Sequence, residues 1–154
     1  MTGTPTAALP PAAHPCRILV PMDGSANALR ALALAMAMVK DLPGGKIELV
    51  NAQPPLGQGV SMFVARAEVK GFHRDEGMRA LGPAIESAKT AGVACAPHIG
   101  VGGPGEVVAG FCKDLGCDHI VMGTRGLGAG MGLLLGSVAT DVIHHAAVPV
   151  TLVK

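Results

Sequence analysis

"ANALRALALAMAMVK", residues 26–40, decides the fold, because it supports two readings. Leu32, Leu34, Met36 and Met38 alternate with alanine as one face of a strand does, whereas Leu29, Leu32, Met36 and Val39 fall on one face of a helix. Ala, Leu and Met are strong helix formers, and the run is too long for an ordinary strand. Ser25 stands where it can cap a helix start, and "DLPGG" at 41–45 supplies an end. The helix reading wins.

With that segment helical, the chain alternates. "CRILVPM" precedes it as a buried strand and "KIELVNA" follows as the second. A helix is expected from about Ala67 to Ala91, weakened by Gly71, Gly77, Gly82 and Pro83. "VACAPHIGV" is the third strand, and "PGEVVAGFCKDLG" the third helix, with Pro104 where a first-turn proline is tolerated. "CDHIVMG", "SVATDVIHHA" and "VPVTLVK" give the fourth strand, last helix and last strand. Near-continuous apolar strands alternating with helices predict a single-domain α/β fold: a doubly wound, Rossmann-like parallel five-stranded sheet with four helices.

Composition narrows the function. Hydrophobic residues make up 49% of the 154, yet there are three Phe and no Trp or Tyr, so the core is aliphatic. Formal net charge is +1, with no Lys or Arg cluster and almost no aromatic stacking surface, which argues against nucleic-acid binding. The longest apolar run, Ala31 to Val39, is too short for a membrane span. Residues 1–15 hold four prolines and no Lys or Arg, which predicts a disordered tail rather than a signal peptide and a cytoplasmic protein; the domain is expected over 16–154. Cys16, Cys95, Cys112 and Cys117 form no C-x-x-C pair and read as reduced, mostly buried thiols.

"GTRGLGAGMGLLLGS", 123–137, leaves the fourth strand and enters the last helix. Glycine costs conformational entropy, so such a density needs a use for bare backbone. Main-chain amides, the positive end of a helix opened by Gly136 and Ser137, and the isolated Arg125 together suit a phosphate. In an open parallel sheet the binding crevice lies beyond the carboxyl ends of strands, where strand order reverses. "PMDGS" leaves the first strand, and if the strand order is the common doubly wound one its end neighbours that of the fourth, which places Asp23 opposite Gly123 to Gly126.

The spacing Gly123-x2-Gly126-x9-Gly136-Ser137 resembles the nucleotide-binding signature of the universal stress protein family, in its UspA-like, ATP-binding subgroup. "RILVPMDGS" and "VPVTLV" look like that family's opening and closing strands. The resemblance implies strand order 3-2-1-4-5, ATP or AMP in the crevice, possible Mg²⁺ or Mn²⁺ carried on the phosphates, and a homodimer through residues 148–153. It implies Pro21 and Asp23 beside the ribose or base, and Ala52 offering backbone to adenine. It implies Met122, Gly123, Arg125 and Gly126 around ribose and phosphates, and Gly136, Ser137 and Val138 on the phosphates. "LVNAQPP" departs from the family pattern by carrying Asn51 where His is frequent. The function implied is a nucleotide-binding stress-response or regulatory protein. The alternatives are a dimeric interaction module of the same fold that binds no nucleotide, or a weak ATP hydrolase.

Blander readings stand beside these. The glycine segment can be a plain connector, Asp23 can make a turn with Gly24 and Ser25, and Ser137 can be an N-cap. "GVGGPG", 100–105, has dinucleotide-fingerprint spacing, but Pro104 removes an amide and no acid ends the next strand; a tight turn is favoured. No Walker motif is present, and "PMDGSAN" is not the loop of an ATP pyrophosphatase. Cys112, Cys117 and His119 lack a fourth ligand, His144 and His145 point about 100° apart on a helix, and His73 and His98 stand singly. No metal site is expected from the protein alone, and no set of catalytic residues.

Overall fold

Ile18, Leu19 and Val20 are all buried, as a strand covered on both faces requires. The computed structural model describes residues 15–57, 65–127 and 135–154. In it β1 (Arg17–Pro21), β2 (Lys46–Gln53), β3 (Cys95–Val101), β4 (His119–Gly123) and β5 (Val150–Val153) form one sheet in the order β3-β2-β1-β4-β5. Every pairing is parallel, with Ile18 opposite Ile47 and His119, and Ile120 opposite Val150. Between them lie α1 (Ala26–Val39), α2 (Arg66–Ala91), α3 (Pro104–Asp114) and α4 (Ser137–His145). The expected single-domain architecture and strand order are therefore observed.

Side chains alternate across the sheet into two cores. Ile18, Val20, Ile47, Leu49 and Val121 pack with Leu32 of α1 and Leu81 of α2. Leu19, Val50, Ile120 and Met122 pack on the opposite face with Val108 of α3 and Val142 of α4.

The deciding stretch is a helix whose inward face includes the expected Leu29, Leu32, Met36 and Val39 and is completed by alanines. Ala28, Ala31, Leu32, Ala35 and Val39 are buried, while Leu29 and Met36 lie partly buried at the margin. Leu34 and Met38 are 40% and 38% exposed. The first turn of α1 lies close to β4: a Cβ on Gly123 would come within 2.8 Å of Asn27 Cβ. The Ser25 hydroxyl accepts from the Ala28 amide at 3.2 Å, so the expected cap is present.

α2 runs unbroken through the residues expected to weaken it. Gly77 packs so tightly on Ile99 of β3 that a Cβ would meet it at 2.7 Å, whereas Gly71 and Gly82 face open space. Burial of Leu81, Ala84 and Ala88 sustains the helix past Pro83, and Gly92 ends it at φ 68°.

α3 closes the same way. Gly116 is left-handed and the Cys117 amide bonds the Cys112 carbonyl at 2.9 Å, the six-residue closure in which the two flanking side chains meet. That contact accounts for the buried Cys112–Cys117 pair. Burial pushes the Cys117 thiol up to about 12, the behaviour of a packing residue. All four cysteines are free thiols.

Glu48 is fully buried on β2, near the amino ends of the strands. His98 Nε2 bonds its Oε2 at 2.8 Å, while Lys46 Nζ and Arg17 lie 3.0 and 3.7 Å from Oε1. Burial pushes this carboxyl up, but the contacts and charges of His98 and Lys46 outweigh it and hold the group below its ordinary 4.5. A carboxyl depressed in the folded state contributes stability above its unfolded value and loses it as pH falls through the folded one. Urea unfolding therefore shows stability falling as pH drops below 4.5, with a shallower fall in Glu48→Gln; an unchanged slope refutes the assignment. By the same measurement, Leu32→Ala costs about 2–5 kcal/mol and Leu34→Ala about 0.5 kcal/mol or less. Equal costs would contradict the helical stripe.

Candidate functional site

Strand order reverses between β1 and β4, and α1 crosses on one face of the sheet while α3 and α4 cover the other. The two crossovers diverge there and leave a crevice beyond the strand ends. It holds a cavity of about 390 Å³. Every residue proposed from the sequence lines it: Pro21 and Asp23 leaving β1, Ala52 near the end of β2, and Met122, Gly123, Arg125 and Gly126 leaving β4. Gly136, Ser137 and Val138 complete it at the start of α4.

Main-chain bonds close the glycine-rich segment at its base. The Thr124 amide bonds the Val153 carbonyl at 2.9 Å, and the Gly136 amide bonds the Thr124 carbonyl at 2.7 Å. Asn27 Nδ2 holds the Arg125 carbonyl at 3.1 Å. Gly136 is bare because it sits against this strand end: a Cβ would lie 3.3 Å from the Thr124 carbonyl oxygen and 3.4 Å from Arg125 Cα. The glycines and apolar residues at 128–134 lie outside the described residues.

α4 opens without a side-chain cap. Gly136, at φ −76° and ψ 160°, is its N-cap, so Ser137 is the first helical residue and does not fill the capping role expected of it. The helical ladder begins with the Thr140 amide on the Gly136 carbonyl at 3.0 Å. The amides of Ser137, Val138 and Ala139 therefore have no intrahelical acceptor, and the helix dipole places positive potential there. Arg125, exposed, makes no ion pair among the described residues and lines the same cavity.

The other wall is apolar. Met22, Val50, Val108 and Met122 are buried beneath the cavity. Asn51 is fixed by its own neighbours: Nδ2 donates to the Met22 carbonyl at 2.7 Å and Oδ1 accepts from Gln53 Nε2 at 2.5 Å. Its side chain is structural, and Ala52 beside it presents only backbone and a methyl group. Asp23 makes the expected turn, its Oδ1 accepting the Ser25 amide at 2.9 Å. Its Oδ2 accepts the Leu127 amide at 3.1 Å across the crevice, a bond the sequence did not suggest.

The G-x-G-x-x-G turn is accounted for by packing. A Cβ on Gly100 would meet Val107 at 2.5 Å, and Gly102 has φ 146°. The Gly105 amide donates to Asp141 Oδ2 at 2.6 Å, so the start of α3 carries the protein's own carboxylate. Sequence reading missed Asp141, which is 36 residues away on α4. His145 Nδ1 bonds the Asp141 carbonyl at 2.9 Å. Among the described residues no three His, Cys, Asp or Glu side chains converge on a metal position.

Known proteins share this fold. The family model described as the universal stress protein family matches residues 16–154. A universal stress protein encoded in the 3′ region of the QAH/OAS sulfhydrylase gene of Thermus aquaticus is 34% identical over 139 residues, 89% of this chain and 97% of that protein. The solved structure of hypothetical protein MJ0577 superposes with a TM-score of 0.78 at 29% identity, covering 90% of this chain and 95% of that one. A universal stress protein solved in complex with cAMP gives 0.64 at 26% identity, covering 90% of this chain and 97% of that one.

Proposed function

This chain belongs to the universal stress protein family, and from that premise we propose that it is a stress-response or regulatory protein that binds ATP or AMP in the crevice between β1, β4 and α4. The observation that carries the reading is the start of α4: amides with no intrahelical acceptor, uncapped by the Gly136 N-cap, open on a cavity that also receives Arg125. A helix start with free amides is an anion site, and an apolar wall on the far side suits a base. The similar structure that holds cAMP supports an adenine nucleotide as the occupant.

In this reading Ser137 and Val138 bind phosphate oxygens through their amides, Gly136 leaves the approach to them bare, and the Ser137 hydroxyl adds a donor. Arg125 supplies the full positive charge, with Met122, Gly123 and Gly126 beside the sugar and phosphates. Pro21 and Asp23 border the ribose, and the Ala52 backbone borders the base. A divalent cation such as Mg²⁺ or Mn²⁺ would be carried on the phosphates and would offset their charge. We propose binding, rather than turnover, as the function, with nucleotide occupancy shifting the conformation or assembly of the protein.

β5 lies at the edge of the sheet with Leu152 exposed, and we propose that residues 148–153 pair two copies into a homodimer. We place the protein in the cytoplasm; no described helix is long and apolar enough to cross a membrane.

With no Trp or Tyr, a co-purified adenine nucleotide dominates the ultraviolet spectrum of the protein. Mg·ATP at about 100 times its Kd stabilises the fold by about 2.7 kcal/mol. Ser137→Ala weakens that binding by about 1–3 kcal/mol. A nucleotide-free spectrum together with no thermal shift on adding Mg·ATP or AMP would favour an interaction module that holds no nucleotide.

A further inference from the structure

We propose that Asp23 positions the segment leaving β4, and that Gly126 is glycine because the Asp23 carboxylate occupies the space of its Cβ. Three demands can make a residue glycine: a left-handed backbone, a ligand that must approach closely, or a neighbour that leaves no room. The first does not apply, since the left-handed described glycines are Gly24, Gly44, Gly92, Gly102 and Gly116. The third is present in the protein itself, for a Cβ on Gly126 would lie 2.3 Å from Asp23 Oδ2.

A side-chain end can often swing away from such a collision. This one is held. Oδ1 accepts the Ser25 amide at 2.9 Å and Oδ2 accepts the Leu127 amide at 3.1 Å, so yielding to a methyl group sacrifices a charge-assisted bond. The carboxylate spans the crevice from the β1 turn to the residues carrying Arg125, whose carbonyl is fastened separately by Asn27. Asp23 thus acts on the phosphate side of the cavity through the main chain of 125–127. An anionic group on the lip of an anion site is also best placed where amides already engage both its oxygens.

The test compares wild type with Asp23→Ser, Gly126→Ala and the double variant. Serine keeps an oxygen for the Ser25 amide, as short hydroxyl side chains do in such turns, and withdraws from Gly126 and Leu127. Thermal unfolding without ligand is the first readout. Gly126→Ala lowers Tm by about 3–10 °C, and the double variant melts within about 1 °C of Asp23→Ser alone, because the collision is gone. Additive losses, or a Gly126→Ala protein with wild-type Tm, overturn the proposal. If Asp23→Ser does not fold, Asp23→Ala replaces it under the same criterion.

The second readout rests on the nucleotide reading. Asp23→Ser weakens ATP about tenfold more than it weakens adenosine, since the ribose border is common to both ligands and the loss of positioning falls on the phosphate side. Equal losses for both ligands make Asp23 a nucleoside contact and overturn the positioning role. Should wild type bind neither ligand, the nucleotide reading fails, and the ligand-free melting experiment still decides the relation between Asp23 and Gly126.

Discussion

The carbonyl of Thr124 fixes where the last helix begins. Its own amide is tied to Val153 of β5 at 2.9 Å, and its oxygen receives the Gly136 amide at 2.7 Å. One buried peptide thus joins the end of β4, the last strand and the N-cap of α4. The glycine-rich segment leaves and returns at this point, so its two ends are neighbours however the intervening residues run. The placement of Arg125 and of the first turn of α4 at one cavity follows from that closure.

Two helix starts lie near the crevice, and they differ in one respect. α3 begins with its Gly105 amide bound to Asp141, a carboxylate delivered by the neighbouring helix α4. α4 begins with Gly136, which has no side chain to offer. The first is neutralised from within, while the second, among the described residues, has no carboxylate on its amides and keeps its positive potential. On the proposed reading, an anion from solution finds its complement at α4. This asymmetry separates the signature glycines from the G-x-G-x-x-G turn, whose bare positions are taken up by Val107 and Asp141.

Much of this was legible in the sequence because it rests on local chemistry. The strand–helix alternation followed from propensity, Ser25 was a readable cap, and the reversal rule brought "PMDGS" and "GTRG" to the same crevice. What stayed hidden depends on distant partners. Glu48 meets His98, 50 residues away, and Asp23 meets Leu127, 104 residues away; neither pair has a spacing that a linear motif records. The buried face of α1 is completed by Ala28, Ala31 and Ala35, whose small size gave them no weight in an apolar pattern drawn from Leu, Met and Val. Ser137 differed by a single position, since extended Gly136 takes the capping place.

The central claim is that an external anion completes the uncapped start of α4. A crystal structure grown with Mg·ATP tests it most directly. The account predicts phosphate oxygens on the amides of Ser137 and Val138 beside the bare Gly136, the Arg125 guanidinium turned toward them, and the base against Ala52. A crevice filled by the protein's own side chains, or a nucleotide bound at another surface, would contradict it.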